Sequence, residues 1–133
     1  MVDKRQVATL LSIYKRAWEK QDPELIITIF APRARYYERA FQKPFTGHKG
    51  IQKYWVENVV KKQKDIHFEV ESIHIVENIA FVDWTAHFYS KPNKYIIKLK
   101  AIMELTIDHN GKIVTLKEYW HSLHLRNNKI VHK

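Results

Sequence analysis

The sequence contains no cysteine, only three glycines and four prolines, and no apolar run near the eighteen or more residues of a membrane span. Without cysteine there is no disulfide framework, no thiolate nucleophile and no thiolate-ligated zinc or redox centre. With glycine confined to Gly47, Gly50 and Gly111, there is no glycine-rich loop to cradle a phosphate and no Gly-x-Ser-x-Gly elbow. Nucleotide-dependent chemistry and nucleophilic hydrolysis are therefore unsupported, and no cofactor is implied. No segment has the layout of a secretory signal. The expectation is a cytoplasmic protein with no membrane partner.

Metal binding is also unsupported, despite eight histidines. His67, His74 and His87 fall on expected strands, and their spacings place no two at adjacent positions on one face with a carboxylate. His121 and His124, three apart on a strand, point to opposite faces. No His-Glu-x-x-His pattern occurs. The expected metal set is none.

What the 133 residues do hold is 45% hydrophobic and 28% charged side chains, which excludes a disordered chain and fits a single domain over residues 1–133. The formal net charge of +9 raises the prior for an anionic partner. Seventeen of the 23 basic residues are lysines scattered from Lys4 to Lys133, which reads as a solvated coat and argues against nucleic acid. Thirteen per cent aromatic residues, with four tryptophans, is the more informative excess.

Along the chain, Val7, Leu10, Leu11, Tyr14, Ala17 and Trp18 recur at helical spacing, so residues 3–20 form a one-sided helix with Asp3 as N-cap. Asp22 and Pro23 start a second, short helix over residues 24–30, ending at Ala31-Pro32. Residues 33–39 alternate as a strand, with Tyr36 and Glu38 on one face. Helical spacing returns over residues 48–62 through Ile51, Tyr54, Trp55 and Val59. From Ile66 the period becomes two, giving strands near 66–77, 79–90, 94–108 and 112–124. Phe68 and Val70 fall out of step with Ile73 and Ile75, which predicts a bulge near Ser72. Residues 126–133 are expected to be a loose tail. Helices followed by one long sheet make the class α+β.

Several short motifs stand in this order: Tyr14…Trp18…Gln21-Asp22, Phe30-Ala31, Pro44-Phe45-x-Gly47-x-x-x-Ile51-x-x-Tyr54-Trp55, and Gly111-Lys112-Ile113 leading to Glu118-Tyr119-Trp120. With the element order they resemble the nuclear transport factor 2-like superfamily, and within it the SnoaL-like and ketosteroid isomerase-like proteins. The resemblance implies a cone: a strongly curved antiparallel sheet packed with three N-terminal helices (cystatin-like). It also implies a small-molecule pocket inside and a homodimer through the outer sheet face near Ile102, Thr106 and Tyr119.

Alternation phased by that resemblance places Trp84, Phe88, Leu99, Met103, Leu116 and Trp120 on the pocket wall, with Trp18, Tyr54 and Trp55 from the helices. The candidate catalytic groups are Tyr14, Glu38 and Glu118. Tyr14 falls where ketosteroid isomerases place an oxyanion-hole tyrosine and Glu38 where they place the general base, the pairing whose chemistry is well understood in that enzyme. Their second oxyanion donor is replaced here by Met103, and a thioether donates no hydrogen bond. Glu118 sits where SnoaL-like relatives carry inward carboxylates. Plainer alternatives stand beside each role. Glu38 can pair with Arg33, Arg35 or Arg39, Tyr14 can be a core tyrosine, Glu118 can be structural, and the tryptophans can be simple wall.

Three functional readings follow. The first is a SnoaL-like protein binding a small, mostly apolar molecule, with cofactor-independent acid–base chemistry of isomerase, cyclase or hydrolase type. The second is a non-catalytic ligand-binding or dimerisation module. The third is an adaptor for an anionic partner. The sequence leaves open whether the chain is an enzyme.

Overall fold

The computed structural model describes residues 2–132. Helix α1 (Lys4–Glu19) opens with a capping box, in which the Asp3 carboxylate accepts from the Gln6 amide while the Gln6 side chain accepts from the Asp3 amide. Its apolar stripe from Val7 to Trp18 is buried as the periodicity requires. Asp22 caps α2 (Pro23–Ile26), accepting from the Glu24 and Leu25 amides at 3.1 Å. A 3₁₀ turn over Ile27–Ile29 then leads into the sheet.

The sheet holds seven strands: β1 (Phe30–Tyr37), β2 (Phe45–Thr46), β3 (Gln63–Val76), β4 (Ile79–Ser90), β5 (Tyr95–Ile107), β6 (Ile113–Arg126) and β7 (Lys129–Ile130). Their order is β2-β1-β6-β5-β4-β3, with β7 paired to β6. Between β2 and β3 lie α3 (Gly47–Trp55) and a π-helical turn, Val56–Val60. This is the expected α+β architecture, with three differences. The sheet is mixed, because β1 runs parallel to β6. Ala31-Pro32 does not stop the chain; it lies inside β1, where the register with β6 slips between Phe30 and Arg35 and asks no hydrogen bond of the proline. The tail is not loose. Asn127 and Asn128, both at positive φ, turn the chain so that Leu125 and Arg126 pair with Ile130 and Lys129; position 133 lies outside the described residues.

The bulge near Ser72 is present, as a register shift between Val70 and Ser72. One sheet face carries the core and α1 and α3 cover it. On β4 the even positions Ala80, Val82, Trp84, Ala86 and Phe88 are all buried. Strand β3 is an edge, and α1 meets its open groups. The Lys15 ammonium donates to the Phe68 carbonyl at 2.6 Å, and the Phe68 amide donates to the Glu19 carboxylate at 2.9 Å.

Candidate functional site

The parallel β1–β6 pairing sets Tyr36 opposite Leu116, so the next inward residue of β6, Glu118, comes beside the Tyr36 ring. From above, α1 lowers Tyr14 onto the same point. The Tyr36 hydroxyl donates to Glu118 Oε1 at 2.8 Å and the Tyr14 hydroxyl donates to the same oxygen at 3.1 Å; the two hydroxyls are 3.4 Å apart. Tyr14 is held by edge-on contacts with Trp18 and Trp55, both at 88°. The result is one buried carboxylate carried by two phenols.

Electrostatics give that carboxylate a proton near neutrality. Burial pushes Glu118 up, the two phenol donors pull it partly back, and the charge of Glu38 raises it again, leaving it at about 7 instead of 4.5. Burial and then the Glu118 charge hold both phenols well above their ordinary value of 10, so both stay protonated donors. A carboxyl group that titrates near 7 can give or take a proton at neutral pH.

Glu38 lies just past the end of β1 and answers both alternatives weighed for it. Arg39 Nε donates to its carboxylate at 3.0 Å, and its side chain still lines the cavity with 20% of its surface exposed. The Glu38 carbonyl accepts from Trp120 Nε1 at 3.1 Å, and the Arg39 guanidinium lies 5.5 Å over the Trp120 ring. Tyr54 lines the same wall as Glu38; burial first, then the charges of Glu118 and Glu38, raise its phenol. The mouth of the site is therefore a knot of Glu38, Arg39, Tyr54 and Trp120.

Between these groups lies a cavity of about 230 Å³. Trp18, Tyr54 and Trp55 face it from the helices, and Trp84, Phe88, Leu99 and Trp120 from the sheet, where the alternation placed them. Met103 and Leu116 are corrections. Both are fully buried and pack into the core below the cavity, because the strands close on the helices at that end. Tyr36 is an addition that sequence reasoning missed, its available signal being the face it shares with Glu38; Arg39, weighed only as a partner for Glu38, also lines the cavity. Tyr14, expected to meet a substrate oxygen, donates instead to Glu118. At the rim stand Ser122 and His124, which share a hydrogen bond at 3.0 Å. A wider, more open groove of about 1140 Å³ adjoins the cavity, sharing Glu38, Trp84, Glu118 and Trp120 and running past Phe41 to Ile102 and Tyr119. The smaller, aromatic space is the one in which a small molecule would be desolvated.

The indole N–H groups of Trp55 and Trp84 are buried without an oxygen or nitrogen acceptor. Each ring meets an aromatic neighbour nearly at right angles, Tyr14 for Trp55 at 88° and Trp18 for Trp84 at 82°. Edge-to-face packing of this kind stabilises the rings through their quadrupoles.

Among the described residues no group of three or more histidine, aspartate or glutamate side chains is arranged to hold a metal ion. One histidine expectation is corrected: His67 and His87, which the spacing did not make neighbours, are cross-strand partners with rings 4.6 Å apart. The register shift between Lys64 and His67 brings them together.

Comparison with known proteins agrees with this architecture. A protein-family model described as a SnoaL-like domain matches residues 12–133. A search of curated proteins finds no match. Among solved structures, the epoxide hydrolase/cyclase-like enzyme SalBIII, described for its role in pyran ring formation in the polyether salinomycin, is similar with a TM-score of 0.77. The alignment covers 91% of this chain and 95% of that one at 19% identity. TsrD from Streptomyces laurentii is similar with a TM-score of 0.75, covering 90% of this chain and 91% of its own at 13% identity. At these identities the likeness establishes the fold.

Proposed function

This chain belongs to the SnoaL-like domain family, and from that premise we propose that its cavity binds a small, mostly apolar, oxygen-bearing molecule and performs acid–base chemistry of the cyclase or isomerase kind. The observation that carries the reading is Glu118, a buried carboxyl poised at about 7 on the wall of an aromatic cavity. Glu38, on the same wall and paired with Arg39, is the complementary base. Two carboxyl groups whose surroundings differ this much divide into a donor and an acceptor.

In a ring closure of the type named for SalBIII, the roles run as follows. Glu38 accepts the proton of an attacking hydroxyl as its oxygen bonds to carbon. The breaking carbon–oxygen bond leaves its electrons on oxygen, and neutral Glu118 protonates that oxygen. Return of the proton from Glu38 to Glu118 restores the site. Tyr14 and Tyr36 stabilise the Glu118 carboxylate formed in the step, and the four tryptophans exclude water that would open the ring instead.

The outer sheet face, with Ile102 and Tyr119 about half exposed, supports pairing with a second copy. The alternative of a non-catalytic binding module is favoured by one fact: the Tyr14 and Tyr36 hydroxyls are already engaged by Glu118. A panel of small hydroxy-epoxides and unsaturated ketones, followed by mass spectrometry, separates the two. The catalytic reading expects turnover of at least one probe, lost in both Glu118→Gln and Glu38→Gln. Binding without turnover favours the module. Turnover unchanged in Glu38→Gln removes that residue from the mechanism.

A further inference from the structure

The aromatic cavity has a second polar end, which the acid–base reading leaves unused. Along β6 its wall is the inward row Glu118, Trp120, Ser122 and His124. Glu118 and His124 are six residues apart, about 20 Å along an extended strand. A volume of about 230 Å³ spread over that length is a narrow channel, with Trp18, Phe88, Ile97 and Leu99 as its apolar waist.

The rim at the His124 end is built from fixed donors. Gln63, Ser90 and Tyr95 are successive cross-strand partners, and the Tyr95 ring stacks on His124 at 4.9 Å. Trp18 Nε1 donates to Gln63 Oε1 at 2.8 Å, so Gln63 keeps its Nε2 group as a donor on the cavity wall. The Arg126 guanidinium lies 5.7 Å from the Tyr95 ring centre and donates to the Asn93 carbonyl at 3.1 Å and the Lys94 carbonyl at 3.4 Å. Those two bonds hold it in place and leave the rest of its five N–H groups for another acceptor.

The strand ends that meet at this rim are basic. The same register puts Lys62, Lys91 and Lys94 together, with the Lys91 amide donating to the Lys62 carbonyl at 2.8 Å, and it pairs Arg126 with Lys129. All five side chains are exposed, and none makes an ion pair among the described residues. The carboxylates nearby are already offset: Glu57 is bound to Lys61 at 2.9 Å, Asp65 follows Lys64, and Asp22 stands two residues from Lys20. The rim therefore keeps a surplus of five positive charges with every histidine neutral. At the other end of the channel Arg39 is paired with Glu38, and Glu118 adds negative charge whenever it ionises. An anion is drawn to the rim and repelled from the acid–base end.

We propose that the substrate is an extended, mostly apolar carboxylic acid, bound with its carboxylate at the Arg126 rim and its reacting oxygen function at Glu118. The reacting end rests on the acid–base reading, whereas the carboxylate end stands on the charge and donors of the rim alone. A guanidinium fork and a side-chain amide are donors that a planar carboxylate accepts from in charge-assisted hydrogen bonds. The narrow channel suits a chain better than a broad fused-ring molecule.

The test is titration of the whole chain with decanoate, decanol, decylammonium and hexanoate below their micelle concentrations, followed by tryptophan fluorescence. Decanoate should bind at least about tenfold more tightly than decanol, the weight of one charge-assisted contact, and decylammonium no better than decanol. Arg126→Gln should weaken decanoate about tenfold and leave decanol unchanged. Lys62→Gln with Lys91→Gln, which spares the Tyr95 stack, should weaken decanoate about threefold. Raising salt from about 0.1 M to about 1 M shortens the Debye length from about 10 Å to about 3 Å and should weaken decanoate alone. Lys4→Gln with Lys112→Gln, the same charge loss away from the rim, should leave affinity unchanged, and circular dichroism checks that each variant is folded. ω-Hydroxydecanoate should also shift the Glu118 carboxyl resonance, which hexanoate is too short to reach from the rim.

Equal affinity for decanoate and decanol would overturn the carboxylate end and leave the acid–base reading standing. Loss of decanoate binding in Arg39→Gln but not in Arg126→Gln would overturn it too, by seating the carboxylate beside Glu38, as would a Glu118 shift produced by hexanoate. Equal loss in the Lys4 and Lys112 control would reduce the effect to net charge and defeat the proposal. If no probe binds, the proposal falls, while turnover of the hydroxy-epoxide panel still decides the acid–base reading.

Discussion

Replacing Glu118 with glutamine keeps the shape of the side chain and an acceptor for Tyr14 and Tyr36 while removing the titrating group. The native carboxyl binds its proton at about 7 when folded, against 4.5 ordinarily. A folded-state value raised in this way stabilises the protein fully below about pH 4.5, and the benefit is lost as pH rises through 7. At about 1.4 kcal/mol per pH unit the whole swing is about 3 kcal/mol, undiminished by solvent because the side chain is buried. Equilibrium urea unfolding, read by tryptophan fluorescence, gives the wild type and Glu118→Gln at pH values from about 4.5 to 8. Subtracting the two curves cancels the titrating groups that do not interact with Glu118. The difference should move by about 3 kcal/mol across the range, with the wild type losing ground to the variant as pH rises. Parallel curves, or a change of opposite sign, would mean that Glu118 titrates as an exposed glutamate does, and the argument for its acid role would fail.

Three further outcomes follow from the same structure. Tyr36→Phe removes the donor at 2.8 Å from the Glu118 carboxylate, so it should raise that group further and cost about 1.5 kcal/mol at pH 8, with less at pH 5; site-resolved NMR titration and urea melts check it. Met103→Ala, in the fully buried core, should cost about 2–5 kcal/mol, whereas Leu99→Ala, on the cavity wall and half-buried, should cost about 1 kcal/mol; equal losses would place both in the same environment. Glu19→Ala frees the Phe68 amide that it now accepts from at 2.9 Å, so hydrogen exchange at that amide should quicken about tenfold, and unchanged protection would show that α1 does not guard the β3 edge.

Much of the fold was legible because local periods and tertiary burial agree. Every apolar position of the α1 stripe is buried, and the alternation of β4 runs through its whole length. The out-of-step residues around Ser72 marked a real bulge. What stayed hidden depends on long-range register, which no local pattern encodes. Parallel pairing of β1 with β6 brings Tyr36 to Glu118 across 82 residues, so alternation could place Tyr36 on a face but could not supply its partner. The histidines of β3 and β4 meet for the same reason. Met103 and Leu116 share the inward phase of the wall residues, and only the depth of the cone at their end separates core from cavity. The C-terminal hairpin was readable in principle, since Asn-Asn tolerates the positive φ a tight turn needs, but its polar flanks pointed to a frayed end.

The most direct test of the central claim is ligand occupancy of the cavity beside Glu118. Small cyclic ketones and ethers, screened by ligand-observed NMR, should include binders of the wild type that shift the Glu118 carboxyl resonance. Leu99→Trp, which fills the space from the sheet side, should abolish their binding while the tryptophan fluorescence stays that of a folded protein. Binding that persists in the filled variant, or fragments that bind without moving the Glu118 signal, would contradict the account.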